Sequence, residues 1–257
     1  MSLSGNFRAS QNLVIDTDDA TRDLIKRHTP FTAESFVIEH IKGLSGKYEV
    51  QLEAELGDDE EYPQIFMVLR SPRIYLNRAF DLGTKSISAL NSDVTMGGKG
   101  LFKKFFCNNL DVCEKLGIEG IYLNAQEVGK YAWLRYGYVP DQASWAEMRE
   151  SIQGLMPRLE KKISDNTFRQ IEAAITSDNP KAAWLIVDQR ETIDGKPVGF
   201  HIMSRIGDWM GCLDLTDPDC VSRVRAYSGY QSDKGFTSDM TPTLGESPVT
   251  PHPKDPV

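Results

Sequence analysis

The segment Met96-Gly97-Gly98-Lys99-Gly100-Leu101 constrains the fold most, because it joins an alternating, strand-like run to a strongly amphipathic helix. Upstream, Ser86 to Val94 alternates apolar with small polar residues, the pattern of an extended strand with one buried face. Downstream, Leu101, Phe102, Phe105, Phe106, Leu110, Cys113 and Leu116 recur at helical spacing, with Lys103, Lys104, Asn108, Asn109, Asp111 and Glu114 expected on the opposite side. Glycines at 97, 98 and 100 let the backbone approach a ligand closely, and the N-terminus of the helix adds a partial positive charge. An anion-binding turn is expected. It is not a Walker loop, since Lys99 is followed by Gly100 instead of Ser or Thr, and not a dinucleotide fingerprint, since Lys103 stands where a third glycine is required. A tight strand-to-helix turn with no ligand is the plainer reading of the same glycines.

Leu116-Gly117 closes the helix, and Ile118 to Asn124 reads as another half-buried strand. A short helix, Val128 to Arg135, and the run Tyr136-Gly137-Tyr138-Val139-Pro140 follow. In this order of elements the chain resembles the GNAT (N-acetyltransferase) superfamily, in a divergent branch with Trp at a usual Tyr position. The family pattern Gln/Arg-x-x-Gly-x-Gly/Ala falls on Thr95 to Gly100, and the later pattern, roughly Asn-x-x-Ala-x-x-Leu-Tyr-x-x-x-Gly-Phe, falls on Gln126 to Tyr138. The resemblance covers about residues 30–142 and is firmest over 86–140.

The resemblance implies an α/β fold: a GNAT-like mixed, mainly antiparallel twisted sheet flanked by helices, with a C-terminal, mainly helical extension. It implies acetyl-CoA or another acyl-CoA as co-substrate and an amine, on a small molecule or a protein, as acceptor. The pyrophosphate would lie on Gly97, Gly98, Lys99, Gly100 and Leu101, and pantetheine would lie in a gap between the strands ending near Val94 and Asn124. The backbone of Val94 and Met96 would engage it, with Asn124 and Trp133 completing the cofactor site. Glu127 and Asp93 sit at the two strand ends, where a carboxylate is able to take the amine proton; both also suit surface caps. The family tyrosine that protonates the leaving thiolate falls on Trp133, whose indole has no usable acid. Tyr131 and Tyr136 are the nearest phenols. Tyr131 lies about 200° around a helix from position 133, so it serves as the acid only after a register change. A second expectation is therefore a non-catalytic binding or structural module on the same fold, engaging another protein. Trp133 points to the module, and the Gly98-Lys99-Gly100 turn to the enzyme.

Elsewhere, Tyr48 to Leu56 and Gln64 to Arg70 read as a hairpin with an acidic tip at Asp58-Asp59-Glu60-Glu61, and a further strand includes Arg73 to Phe80. Residues 1–29 are expected to be an N-terminal segment in which Ile15 to Ala20 leads into a helix ending near His28. The acyl-CoA-binding domain spans 30–142, an accessory helical extension 143–230 and a disordered tail 231–257. In the extension, Trp145 to Ile175 reads as helix divided at Pro157 or at Ser164-Asp165-Asn166. Ala182 to Val187 suits either buried helix or strand, and Gly207 to Pro218 is rich in turn formers ahead of a last helix capped by Thr216 or Asp217. Asp208, Asp214, Asp217 and Asp219 lack calcium-loop spacing and suit turns and caps, so no metal is expected.

The net charge of −8 argues against nucleic acid as the main ligand. Lys99, Lys103 and Lys104 are read as the one tight basic cluster, flanking the glycine turn. Cys107, Cys113, Cys212 and Cys220 form no Cys-x-x-Cys pair, and neither a signal sequence nor an apolar span is present in the sequence, so a soluble cytoplasmic protein is expected.

Overall fold

A computed structural model describes residues 5–10, 12–57, 61–72, 74–93 and 101–230, with the backbone alone at 5–10, 90–93 and 101. The expected phosphate turn, with Val94, Met96, Gly97, Gly98, Lys99 and Gly100, lies outside the described residues, as do the acidic tip at 58–60 and the tail 231–257.

The chain opens with strands β1 (Gly5–Ser10) and β2 (Leu13–Thr17). Helix α1 (Asp19–His28) begins where the Asp18 carboxylate accepts from Thr21 N at 2.8 Å, and α2 (Ala33–Ile41) begins in a reciprocal Thr32–Ser35 capping box. Strands β3 (Tyr48–Leu56), β4 (Pro63–Arg70), β5 (Tyr75–Asp81) and β6 (Ser86–Asp93) follow, then α3 (Leu101–Leu116), β7 (Gly120–Ala125), α4 (Gly129–Arg135) and β8 (Val139–Pro140). Helices α5 (Gln142–Leu159), α6 (Asp165–Thr176) and α7 (Ala183–Val187) precede a small ribbon of β9 (Thr192–Ile193) and β10 (Lys196–Pro197). Helix α8 (Val198–Met203), strand β11 (Trp209–Asp214) and helix α9 (Pro218–Ser228) complete the described chain.

One nine-stranded sheet has the order β1-β2-β3-β4-β5-β6-β7-β11-β8. It is mixed and mainly antiparallel: only β2–β3 and β6–β7 run parallel, and each of those pairs is joined through helices, as a parallel connection requires. Alternation in β3, β4 and β5 turns Val50, Leu52, Ile65, Met67, Leu69, Leu76 and Phe80 into the core. Helices cover that face, with Phe36 of α2 edge-to-face on Phe80 at 5.2 Å and Ile25 of α1 fully buried. Among the described residues no helix is long and apolar enough to cross a membrane.

Several elements differ from the sequence reading. Residues 13–17 pair with β3 instead of only leading into a helix, because Leu13, Ile15 and Thr17 alternate inward. Asn108 and Asn109 are not on the solvent side of α3; they are 2% and 3% exposed. The Asn108 amide donates to the carbonyls of His40 and Lys42, both at 2.9 Å, and so satisfies backbone acceptors where α2 ends. Pro157 stays inside α5, where Gln153, whose carbonyl loses its helical donor, is exposed to water. The division falls at Ser164, the other of the two positions read from the sequence, and Ser164 caps α6. Of the two readings of Ala182 to Val187, helix is the one adopted, over Ala183 to Val187.

The turn-rich run after Gly207 holds β11, whose alternation sends Trp209, Gly211 and Leu213 inward. This strand enters the sheet between β7 and β8, and one buried cluster includes residues on both sides of position 142. The mainly helical C-terminal region is thus joined to the sheet through a strand of its own. Gly211 has no room for a side chain: a Cβ there would lie 2.5 Å from both the Trp209 ring and the Val139 carbonyl.

Candidate functional site

Parallel β6 and β7 carry their C-terminal ends to the same end of the sheet, and the backbone there separates. The ladder pairs Ser86 with Gly120, Ile87 with Ile121, Ser88 with Tyr122 and Ala89 with Leu123, and β6 then continues to Asp93 while β7 continues to Ala125. The departure coincides with a bulge. Arg78 of β5 pairs with Ala89 and Asn77 pairs with Asn91, so Leu90 is an extra residue in β6. A bulge bends its strand and increases the local twist, which accounts for β6 leaving β7 here. Beyond the bulge β6 keeps its antiparallel partners on β5 as far as Asp93.

Asp93 closes β6 and Asn124 and Glu127 lie at and beyond the end of β7, the parallel strand beside it, while Leu101 opens α3. Asn124 is exposed and lies opposite Met210 of β11. Glu127 is exposed and holds φ at +46°, a left-handed conformation that costs a β-carbon-bearing residue energy, at the sharp turn from β7 into α4.

Helix α4 is fastened to the first turns of α3 by aromatic rings. Trp133 meets Phe102 edge to face at 5.3 Å and Tyr138 at 5.2 Å, while Phe106 lies 4.7 Å from Tyr136. The indole edge rests on Gly129: a Cβ there would sit 2.9 Å from Trp133 Nε1. Trp133 is therefore a half-buried packing residue next to the start of α3. Burial pushes the phenols of Tyr136 and Tyr138 well above the usual tyrosine range.

Tyr131 is not on this side of α4. Its ring packs edge-on against Phe200 of α8 at 5.6 Å, and its hydroxyl accepts from Arg135 Nη1 at 2.8 Å. The 200° separation read from the sequence persists in the helix, so Tyr131 and Trp133 face different neighbours.

Two further polar residues border this region without having been singled out in the sequence. Lys130 is 7% exposed and donates through Nζ to the Ile206 carbonyl at 2.6 Å, with the Asp208 carboxylate 3.6 Å away, which ties α4 to the turn before β11. Arg78 is 5% exposed, on the inward side of β5 between Leu76 and Phe80 and beside the Leu90 bulge, and burial lowers its guanidinium to about 10. Strict alternation in Tyr75 to Asp81 was the signal available for Arg78, since it places an arginine at an inward position.

The aspartates of the 208–219 region have structural tasks. Asp214 accepts from Thr216 N at 2.8 Å, Asp217 caps α9, and Asp217 and Asp219 hold Lys181 at 2.6 and 2.9 Å. No family model, curated protein or solved structure matches this chain.

Proposed function

We propose that the chain is an N-acyltransferase of GNAT type that moves an acetyl or other acyl group from acyl-CoA to an amine. The observation that supports it is the arrest of the β6–β7 ladder at Ala89 and Leu123, next to a glycine-rich segment and the start of α3. A parallel pair that opens at its C-terminal ends leaves backbone donors and acceptors of β6 for an extended ligand such as pantetheine, in the manner of an added strand. The Gly97–Gly100 backbone and the N-terminus of α3 would supply N–H groups for a pyrophosphate. Val94 and Met96 would meet the pantetheine amides.

In the transfer, the amine nitrogen attacks the thioester carbonyl carbon, the C–S bond breaks, and CoA leaves as thiolate. Glu127 and Asp93 are the candidate bases for the amine proton, directly or through water. With Tyr131 turned toward Arg135 and Trp133 in the usual tyrosine place, the thiolate leaves without a phenol to protonate it, which a thiol of ordinary pKa near 8.5 tolerates. The acceptor would be a small-molecule or protein amine.

The second reading is a non-catalytic module of the same fold, favoured by the packing of Trp133 and the bond from Arg135 to Tyr131. Calorimetry with acetyl-CoA, CoA and ATP separates these questions. Binding of both CoA species with no binding of ATP supports the cofactor reading, and loss of thioester with added amines then separates enzyme from module. Absence of CoA binding removes both the cofactor and the reaction.

A further inference from the structure

The fold assembles a second cationic cluster far along the chain from the glycine turn, at the C-terminal end of α5 and the end of α8. Arg158, Lys161 and Lys162 come from the α5 end and the segment after it, Arg205 follows α8, and together with His201 they border a cavity of about 400 Å³. None of the four lysines and arginines makes an ion pair among the described residues. Elsewhere Arg22, Lys85, Lys115, Lys130, Arg149, Lys181 and Arg223 each hold a carboxylate.

In a chain of net charge −8, four cations whose shared cavity has no carboxylate among its lining residues repel one another, a cost that a bound anion removes. The wall is not polar throughout. Half-buried Leu155 and exposed Pro157 contribute apolar surface, over a buried Leu159. Arg205 lines the cavity, and its Nη1 is fixed on the end of its own helix by donating to the His201 carbonyl at 2.7 Å and to Ser204 Oγ at 3.3 Å. His201 senses the local field: burial first, then Arg205 and Lys162, lower its pKa, against a smaller opposing effect of Asp194.

We propose that this cavity is a binding site for a small amphiphilic dianion: a phosphate ester whose charged head meets Arg158, Lys161, Lys162 and Arg205 and whose apolar part lies on Leu155 and Pro157. The volume is that of a small-molecule site, too small for a folded partner, and the guanidinium groups suit a phosphate through paired N–H donors. The site does not depend on the acyl-CoA reading, because its residues lie on α5, α8 and the segments that follow them instead of at the β6–β7 opening.

The test is calorimetric titration of the full chain with phenyl phosphate, inorganic phosphate and benzyl alcohol at low salt. Saturable binding of phenyl phosphate is expected, tighter than that of inorganic phosphate, with none for benzyl alcohol. The Lys161→Gln/Lys162→Gln protein should bind phenyl phosphate about tenfold more weakly, and Gly98→Asp should bind it unchanged. Both lysines are exposed, so the double variant should keep the parent's thermal unfolding, and Arg158→Gln provides an independent check. No saturable binding, equal binding of inorganic phosphate, or binding insensitive to these substitutions overturns the proposal. Loss in Gly98→Asp alone would place the phosphate at the glycine turn and overturn it equally.

Discussion

Phe102 and Trp133 meet edge to face, ring centroids 5.3 Å apart and planes at 72°, which fixes α4 against the first turn of α3. Trp133→Phe keeps a ring there but leaves a void over Gly129, and is expected to cost about 1–2 kcal/mol in urea unfolding. If α3 begins at the CoA pyrophosphate, the same change should raise the apparent KM for acyl-CoA with a smaller change in kcat. A large fall in kcat at unchanged KM would instead place the indole at the reacting atoms.

Tyr131→Phe removes one hydroxyl and almost no volume. Its partner is Arg135 and its ring neighbour is Phe200, so a stability loss of about 1 kcal/mol is expected with acyl-CoA binding unchanged. Weakened CoA binding in this variant, measured by calorimetry, would show that Tyr131 faces the cofactor.

Asn108 bridges two helices through a single amide. Replacing it with Leu leaves the His40 and Lys42 carbonyls without that donor and should destabilise the protein by about 2–3 kcal/mol, read from the urea midpoint at constant m. An unchanged midpoint would mean that water substitutes for the amide.

His40 is fully buried, donates from Nδ1 to the Phe36 carbonyl at 2.8 Å, and has a pKa lowered to about 4, chiefly by desolvation. A histidine whose folded pKa is depressed stabilises the fold while neutral. Its contribution is complete above the unfolded value near 6.5 and is lost as pH falls toward 4. About 2 kcal/mol should disappear between pH 7 and pH 5. The depressed carboxyls of Glu34, Glu39 and Asp217 act mainly below that window, because their unfolded forms titrate near 4. His201 adds in the same direction with more solvent around it. Thermal unfolding of His40→Gln should show a much flatter dependence between pH 7 and 5; an identical slope would assign the effect elsewhere.

The elements around the β6–β7 opening were legible in the sequence because each has a clean period: two in β3, β4, β6 and β7, and nearly four in α3. The side of α3 occupied by Asn108 was not legible, since its two acceptors are carbonyls 66 and 68 residues away. Strand β11 was hidden by its own composition. Gly211, between Met210 and Cys212, reads as a turn until Val139 and the Trp209 ring are brought against it. The Leu90 bulge exists only as a relation between two strands, and Arg205 and His201 join the Arg158-Lys161-Lys162 run only through the packing of α8 against the end of α5. Local pattern specifies elements; contacts across long sequence separations specify the cavities and bends.

The central claim is that acyl-CoA enters where β6 leaves β7 and rests its pyrophosphate on Gly97 to Gly100. The most direct measurement is calorimetric titration of CoA into the parent protein and into Gly98→Asp and Gly100→Asp, which add bulk and negative charge where the phosphates would lie. One CoA per chain is expected in the parent and at least about tenfold weaker binding in each variant, with thermal unfolding retained. CoA affinity unchanged in both variants, or no binding to the parent, would contradict it.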